Sequence, residues 1–423
     1  MKPHLRILRS SQKGVVALLA AALLLGGCGP SESELTAQAV ETSSAAAAVW
    51  TTTPTRRPTQ TPTATLTPTP TASATLTATI TPTEVPFPVY EWRSMMVDEV
   101  KKGPHLDLAV DSQDVPHIVY LDDLEDNLKF ASLTEEGSWW RRDFESPNVD
   151  GFYPSIIINK IDDEETAHVL RWIIGVRWLA YMPLTQSGVT AFLPDLNITA
   201  ATLALDSSKE PVPHLVYHDK DSGELVYARF RLSGWVKHTL AVVGPEGVRF
   251  PLLLDADDHP HLLYHNALEG LVYATLPDPA GEDWTTTVVD AGAGVGLYPS
   301  MVQDGDGQLH AVYYDSALPG LKYTRMGNSG WEEPQIIVEG ESVGLYPSVG
   351  VDAAGNVQVA FFDASAGTLK HAVGLDRHWK VSEVEALDAM GPYCELVVGP
   401  TGNLHIAYQK AAERSIWYAF GVP

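Results

Sequence analysis

The chain has 423 residues, 45% of them hydrophobic, and carries 53 acidic against 28 basic side chains, a formal net charge of −25. That apolar content is enough for a large core, and that acidity excludes nucleic acid as a partner, because phosphate binding needs a basic surface. Two cysteines, Cys28 and Cys394, are too few for a disulfide framework.

The N-terminus opens with Lys2, Arg6, Arg9 and Lys13, followed over 14–25 by an apolar run too short to span a bilayer. The run ends Leu25-Gly26-Gly27-Cys28. This stretch resembles the lipobox of bacterial lipoproteins, a family in which the chain is cut before the cysteine and the sulfur receives a diacylglycerol. The resemblance implies a signal peptide over 1–27, lipidation at Cys28, a lipid anchor in a bacterial membrane and an extracytoplasmic, cell-surface location. The alternative is an ordinary secretory signal with a chance cysteine. If Cys28 is acylated, Cys394 has no partner and should behave as a small buried apolar side chain.

Residues 28–88 are a Thr/Pro-rich tract with too little apolar surface to offset the entropy of ordering. Proline favours extended polyproline II there, so the tract should serve as a disordered, semi-stiff tether.

From 89 to 423 the chain repeats. Its clearest unit, 296–331, reads Gly-Leu-Tyr-Pro-Ser-Met-Val-Gln-Asp, a Gly-Asp-Gly turn, Leu-His-Ala-Val-Tyr-Tyr-Asp, a Pro-Gly turn, Leu-Lys-Tyr-Thr-Arg, then Gly-Trp. His117, His168, His214, His261, His310 and His405 mark the repeat, with Gln358 in one place, at intervals of about 48 residues. Each unit holds four strand-like runs separated by Gly, Asp or Pro. This pattern predicts an all-β fold, a seven-bladed β-propeller of four-stranded antiparallel blades. The last unit has only three runs, whereas the run at 90–97 is an orphan whose Trp92 lies one period before Trp140. That N-terminal strand should complete the seventh blade and close the ring, removing an exposed sheet edge.

Residues present in nearly every unit should serve the blade. Each repeated His should bond the adjacent turn, which carries Asp111, Asp206, Asp255, Asp304 or Asp352. The tryptophans Trp92, Trp140, Trp235, Trp284, Trp331 and Trp379 should cover blade edges. One His per blade cannot converge on one ion, and Asp304-Gly-Asp-Gly lacks the further ligands of a calcium loop, so no metal and no cofactor are expected.

Two positions should face the channel mouth. The loop entering the innermost strand carries Tyr153, Tyr298, Tyr346 and Tyr393, with Phe250 and His105 in equivalent places. The loop after the second strand carries Asp122, Asp219, Asp315 and Asp363. Aromatic faces beside carboxylates suit a sugar or a peptide, and a carboxylate ring also suits a cation. The competing reading is that the tyrosines pack between blades and the aspartates cap hairpins. The second unit departs from the pattern: Arg171-Trp-Ile-Ile-Gly-Val-Arg-Trp178 puts Ile173 where others have Asp.

The phrase Tyr-Pro-Ser, Val-Asp, Gly, His, Val-Tyr-Tyr-Asp, Gly-Leu-Lys-Tyr, Trp resembles the repeats of bacterial secreted propellers grouped with sialidase-like (BNR-type) domains. The resemblance covers 89–423 and implies a propeller rather than an activity: no faithful Asp-box is present and no catalytic residue can be carried over. The reading that follows is a monomeric surface lipoprotein whose propeller binds an extracellular glycan, peptide or protein. The alternative is an extracellular polysaccharide hydrolase or lyase with its site at the channel mouth.

Overall fold

A computed structural model describes residues 87–423, apart from 101–104, 123–126, 145–153, 162–163, 185–190, 195, 232–233, 245–248, 279–280, 376 and 388–389. The signal peptide and lipidation expected at 1–28, nearly all of the tether expected over 28–88, and Tyr153 lie outside the described residues.

Alternating apolar and polar side chains give the chain seven antiparallel sheets, each made by four successive strand positions running outward from a central channel. Blade 5 shows the pattern: Val295–Gln303 lies innermost, then Leu309–Asp315, then Gly320–Gly327, and Gln335–Glu339 outermost. The closing blade joins the two ends of the repeat region. Met390–Val398, Leu404–Lys410 and Ser415–Val422 supply its three inner strands, and Glu91–Glu99 adds the fourth in antiparallel register, with Trp92 opposite Gly421. The predicted fold and its closure are therefore both observed.

The core is divided among the blade interfaces. Among the described residues there are seven apolar clusters, and each draws on two neighbouring blades. The one at the seam joins Val97, Ile416 and Tyr418 of the closing blade to Leu106, Ile118 and Tyr120 of blade 1. Fully burying one such side chain is worth about 1.5–3 kcal/mol, so the apolar packing between blades contributes substantially to holding the ring together. Cys394 is fully buried in the cluster between blades 6 and 7, as expected of a small apolar side chain.

His261, His310 and His405 sit between a turn carboxylate and a tyrosine hydroxyl, whereas His117 reaches only its carboxylate, and His168 and His214 bond a tyrosine, so the bond expected between His214 and Asp206 is not seen. His310 reaches the turn carboxylate of Asp304 through Nε2 at 3.0 Å and the Tyr323 hydroxyl through Nδ1 at 2.8 Å. His117 and His261 bond Asp111 and Asp255 in the same way. Asp304 also accepts the backbone N–H groups of Asp306 and Gln308, so its oxygens are used in the turn. In blade 7 the turn residue is Gly399, and the carboxylate comes instead from Asp114 of blade 1, 3.2 Å from His405.

The tryptophans correct one expectation. Most do not cover free blade edges but lie edge-on against the third-strand ring of the preceding blade; Trp235 instead lies against Phe230 of its own blade and donates to the Phe192 carbonyl of blade 2 at 2.9 Å. Trp331 meets Tyr273 at 5.4 Å, Trp379 meets Tyr323 at 5.2 Å, and Trp92 meets His371 at 5.4 Å. In blade 1 this place is taken by Trp139, against Tyr418, whereas Trp140 is 53% exposed. The period linking Trp92 to blade 1 therefore runs to Trp139, one residue short of the sequence alignment.

Candidate functional site at the channel mouth

The Gly-Leu-Tyr-Pro segments leave regular pairing just before the channel. Register slips on both sides of Leu297 in blade 5 and of Leu345 in blade 6. Gly296 and Gly344 turn at φ of +86° and +91°, and a Cβ on either would strike Leu271 or Leu321 at under 3 Å. Glycine is needed at both points. The tyrosine after each bulge is itself left-handed, Tyr298 at φ +52° and Tyr346 at φ +50°. A bulky residue rarely adopts this conformation, and such strain concentrates at functional positions.

The bulges bring the rings together. Tyr298 and Tyr346 have centroids 4.2 Å apart, Tyr346 and Tyr393 are 5.3 Å apart, and Tyr393 and His105 are 4.9 Å apart. Four consecutive blades, 5, 6, 7 and 1, thus contribute one ring each to a continuous aromatic arc. Burial and the hydrogen bond between the Tyr346 and Tyr298 hydroxyls push the Tyr346 phenol well above its ordinary pKa. The Cys394 thiol donates to the Tyr346 carbonyl at 3.3 Å, which fixes the bulge from the next blade.

The aspartates predicted for the same site go elsewhere. Asp315 forms an ion pair with Lys322 at 2.7 Å and accepts the N–H groups of Ala317 and Leu318 in its hairpin turn. Asp122 pairs with Lys129 at 2.7 Å, and Asp363 pairs with Lys370. Asp219 has no such lysine and accepts the N–H groups of Asp221 and Ser222. Lys322 also reaches Asp290 on the preceding blade, which accepts the Tyr313 hydroxyl at 2.6 Å. These carboxylates cap hairpins and join blades, and none of the four lines the channel.

At the Tyr393 and His105 end of the arc lies a channel of about 680 Å³, lined by the innermost strands of all seven blades; these two rings are among its lining residues, and Tyr298 and Tyr346 extend the row away from it. Its polar groups are ones that motif reading passed over. Two residues beyond the ring position stand Asp107, Ser155, Ser300, Ser348 and Glu395. Three of them accept a backbone N–H from the next blade: Ser300 from Val349 at 3.2 Å, Ser348 from Leu396 at 2.9 Å, and Asp107 from Ile156 at 2.8 Å. Arg249 extends from blade 4 across to blade 6, donating to the Pro347 carbonyl at 3.1 Å, and to blade 7, where it pairs with Glu395. Glu395 also accepts the Ser348 hydroxyl at 3.1 Å. Burial first, and the neighbouring Glu395 charge second, raise the Asp107 carboxyl to about 7. The signal was present in the repeat: the serine of Tyr-Pro-Ser becomes acidic in blades 1 and 7 alone.

No family model matches the chain, and no curated protein matches it. Solved structures do resemble it. A fungal lectin from Aleuria aurantia, described as a six-bladed β-propeller with a novel fucose recognition mode, is 11% identical, with a TM-score of 0.48 over 68% of this chain and 97% of that one. The intramolecular trans-sialidase of Ruminococcus gnavus is 12% identical, with a TM-score of 0.39 over 77% of this chain and 96% of that one. The polysaccharide lyase Uly1 is 11% identical, with a TM-score of 0.45 over 78% of this chain and 90% of that one. Identities and TM-scores this low carry no function across. The class that the strand order itself defines is the seven-bladed β-propeller.

Proposed function

We propose that this propeller binds an extracellular carbohydrate at the aromatic arc over its channel mouth. One observation carries the reading: four successive blades hold Tyr298, Tyr346, Tyr393 and His105 in an unbroken row beside a polar channel, at the cost of two left-handed tyrosines. Packing between blades needs no such strain, since blade 4 puts Phe250 at the equivalent place without a positive φ. Tyrosine faces supply apolar area for a pyranose ring, and their hydroxyls together with the partly exposed Glu395 supply hydrogen-bonding partners. The lipobox-like Cys28 and the tether support presentation of this face outside the cell, on a lipid anchor.

Binding to a glycan array tests the reading. Wild type should bind, and a Tyr298→Ala, Tyr346→Ala double variant that keeps its thermal midpoint should bind roughly tenfold or more weakly. Equal binding by the two proteins, or none by either, refutes the site.

A second reading, hydrolysis or lysis of a polysaccharide, draws on Asp107 and Glu395 sharing one cavity. Its signature would be polysaccharide chain cleavage by wild type that is absent in Glu395→Gln.

A further inference from the structure

The carboxylate of Asp107 does a structural job that does not need its charge. One oxygen accepts the N–H of Ile156 from the next blade at 2.8 Å, as the hydroxyls of Ser300 and Ser348 accept those of Val349 and Leu396, and the other accepts the N–H of the adjacent Leu108 at 2.9 Å. Two blades therefore make the same bond with a neutral serine. A negative charge placed where a hydroxyl makes the inter-blade bond costs desolvation, and the added bond to the adjacent Leu108 offsets only part of it. Glu395, at the equivalent place in blade 7, likewise exceeds what a serine would do there.

The charges in the channel do not balance. Asp107, Glu395 and Arg249 are the Asp, Glu, Lys and Arg side chains among its lining residues, two carboxylates to one guanidinium. The guanidinium is committed to Glu395 and to the Pro347 carbonyl. The side chains of Arg249 and Glu395 remain 20% and 16% exposed, so this set faces the channel rather than being sealed within the wall. Burial first, and the Glu395 charge second, raise the Asp107 carboxyl to about 7, so near neutral pH a proton partly occupies the place that a second cation would take. The space, about 680 Å³, falls within the range of small-molecule sites. Electron-rich tyrosine faces at the rim attract cations as well as sugar rings.

We propose that Asp107 and Glu395, sharing the single guanidinium of Arg249, bind one positively charged group, the ammonium of an amino sugar whose ring lies against the tyrosine arc. This rests on the carbohydrate reading and narrows it to glycans carrying a free amine. The ammonium completes the charge balance of the channel, and an N-acetyl group at the same position cannot.

The test compares matched oligosaccharides, glucosamine trimers and their N-acetylated counterparts, by titration calorimetry with the full-length chain at pH 6.5. The free-amine form should bind about tenfold or more tightly, the margin of one charge-assisted hydrogen bond. Asp107→Ser, which installs the residue other blades use, should keep the fold and the weaker affinity for the acetylated form while reducing the preference to about twofold or less. Equal affinity of the two forms in wild type overturns the inference, as does a preference that survives Asp107→Ser or binding by neither form. The wild-type comparison stands even where the variant fails to fold. The carbohydrate reading is decided separately, by whether any glycan on the array is bound.

Discussion

His310 shows how much a single repeated residue is asked to do, and blade 6 shows that its role is replaceable. There Gln358 takes the histidine's place, donating to Asp352 at 2.9 Å, while the third-strand tyrosine becomes His371, whose Nε2 lies 2.8 Å from the Gln358 side-chain oxygen. The two exchanges compensate one another. His310→Gln should therefore cost about 1 kcal/mol or less, whereas His310→Leu, which strands both Asp304 and Tyr323, should cost about 1–3 kcal/mol. Denaturant midpoints of the two variants check the ordering, and equal losses would remove the two-partner role. This histidine was legible because most blades use it to tie the second strand to a turn carboxylate or a third-strand tyrosine, so the residue recurs at one spacing. The channel charges were not, because Asp107, Arg249 and Glu395 each occur once and come from blades 1, 4 and 7. Arg249 and Glu395 are 146 positions apart and meet only when the ring closes.

Among the elements, the closing strand Glu91–Glu99 carries the widest consequences. Beyond pairing with Ser415–Val422, it brings Asp98 to blade 1, where Asp98 accepts the Tyr120 hydroxyl at 2.7 Å and lies 3.7 Å from Lys129. Its Val97 carbonyl accepts Arg141 from the outer strand of blade 1 at 2.8 Å. Removing residues 87–99 should therefore damage two blades at once and lower the thermal midpoint by roughly 10 °C or more. Differential scanning calorimetry measures this, and an unchanged midpoint would mean the ring closes without the strand. The strand was readable from Trp92 because the period runs through it. Its exact match in blade 1 was off by one, since Trp139 and Trp140 are adjacent and only packing chooses between them. The bulges at Tyr298 and Tyr346 were not readable: Gly-Leu-Tyr-Pro marks a turn, but it is the close approach of Leu271 and Leu321 of the preceding blades that requires glycine at Gly296 and Gly344.

For the whole molecule, buried groups of two kinds set opposite limits on pH. Asp107 stands at about 7 in the folded chain against about 3.9 unfolded. Between those values the unfolded chain has released a proton that the folded chain keeps, so this contribution is full below about pH 4 and is lost as pH rises to about 7. Burial lowers His168 and His214 to about 4, against about 6.5 unfolded. Here the unfolded chain takes up protons first, so stability falls as pH drops from about 6.5 to 4. Asp107→Ser should raise the thermal midpoint by roughly 2–5 °C at pH 8, and by progressively less as pH is lowered to 5. A gain that does not change with pH would show that Asp107 does not ionise in this range. The closing strand also has a mechanical meaning. Residues 1–86 join the ring through it, so a force applied along them loads the Glu91 end, opposite Val422, before any other pairing. Under such a pull the strand would part from Ser415–Val422 and then from its Val97 and Asp98 contacts with blade 1, opening the propeller at its seam.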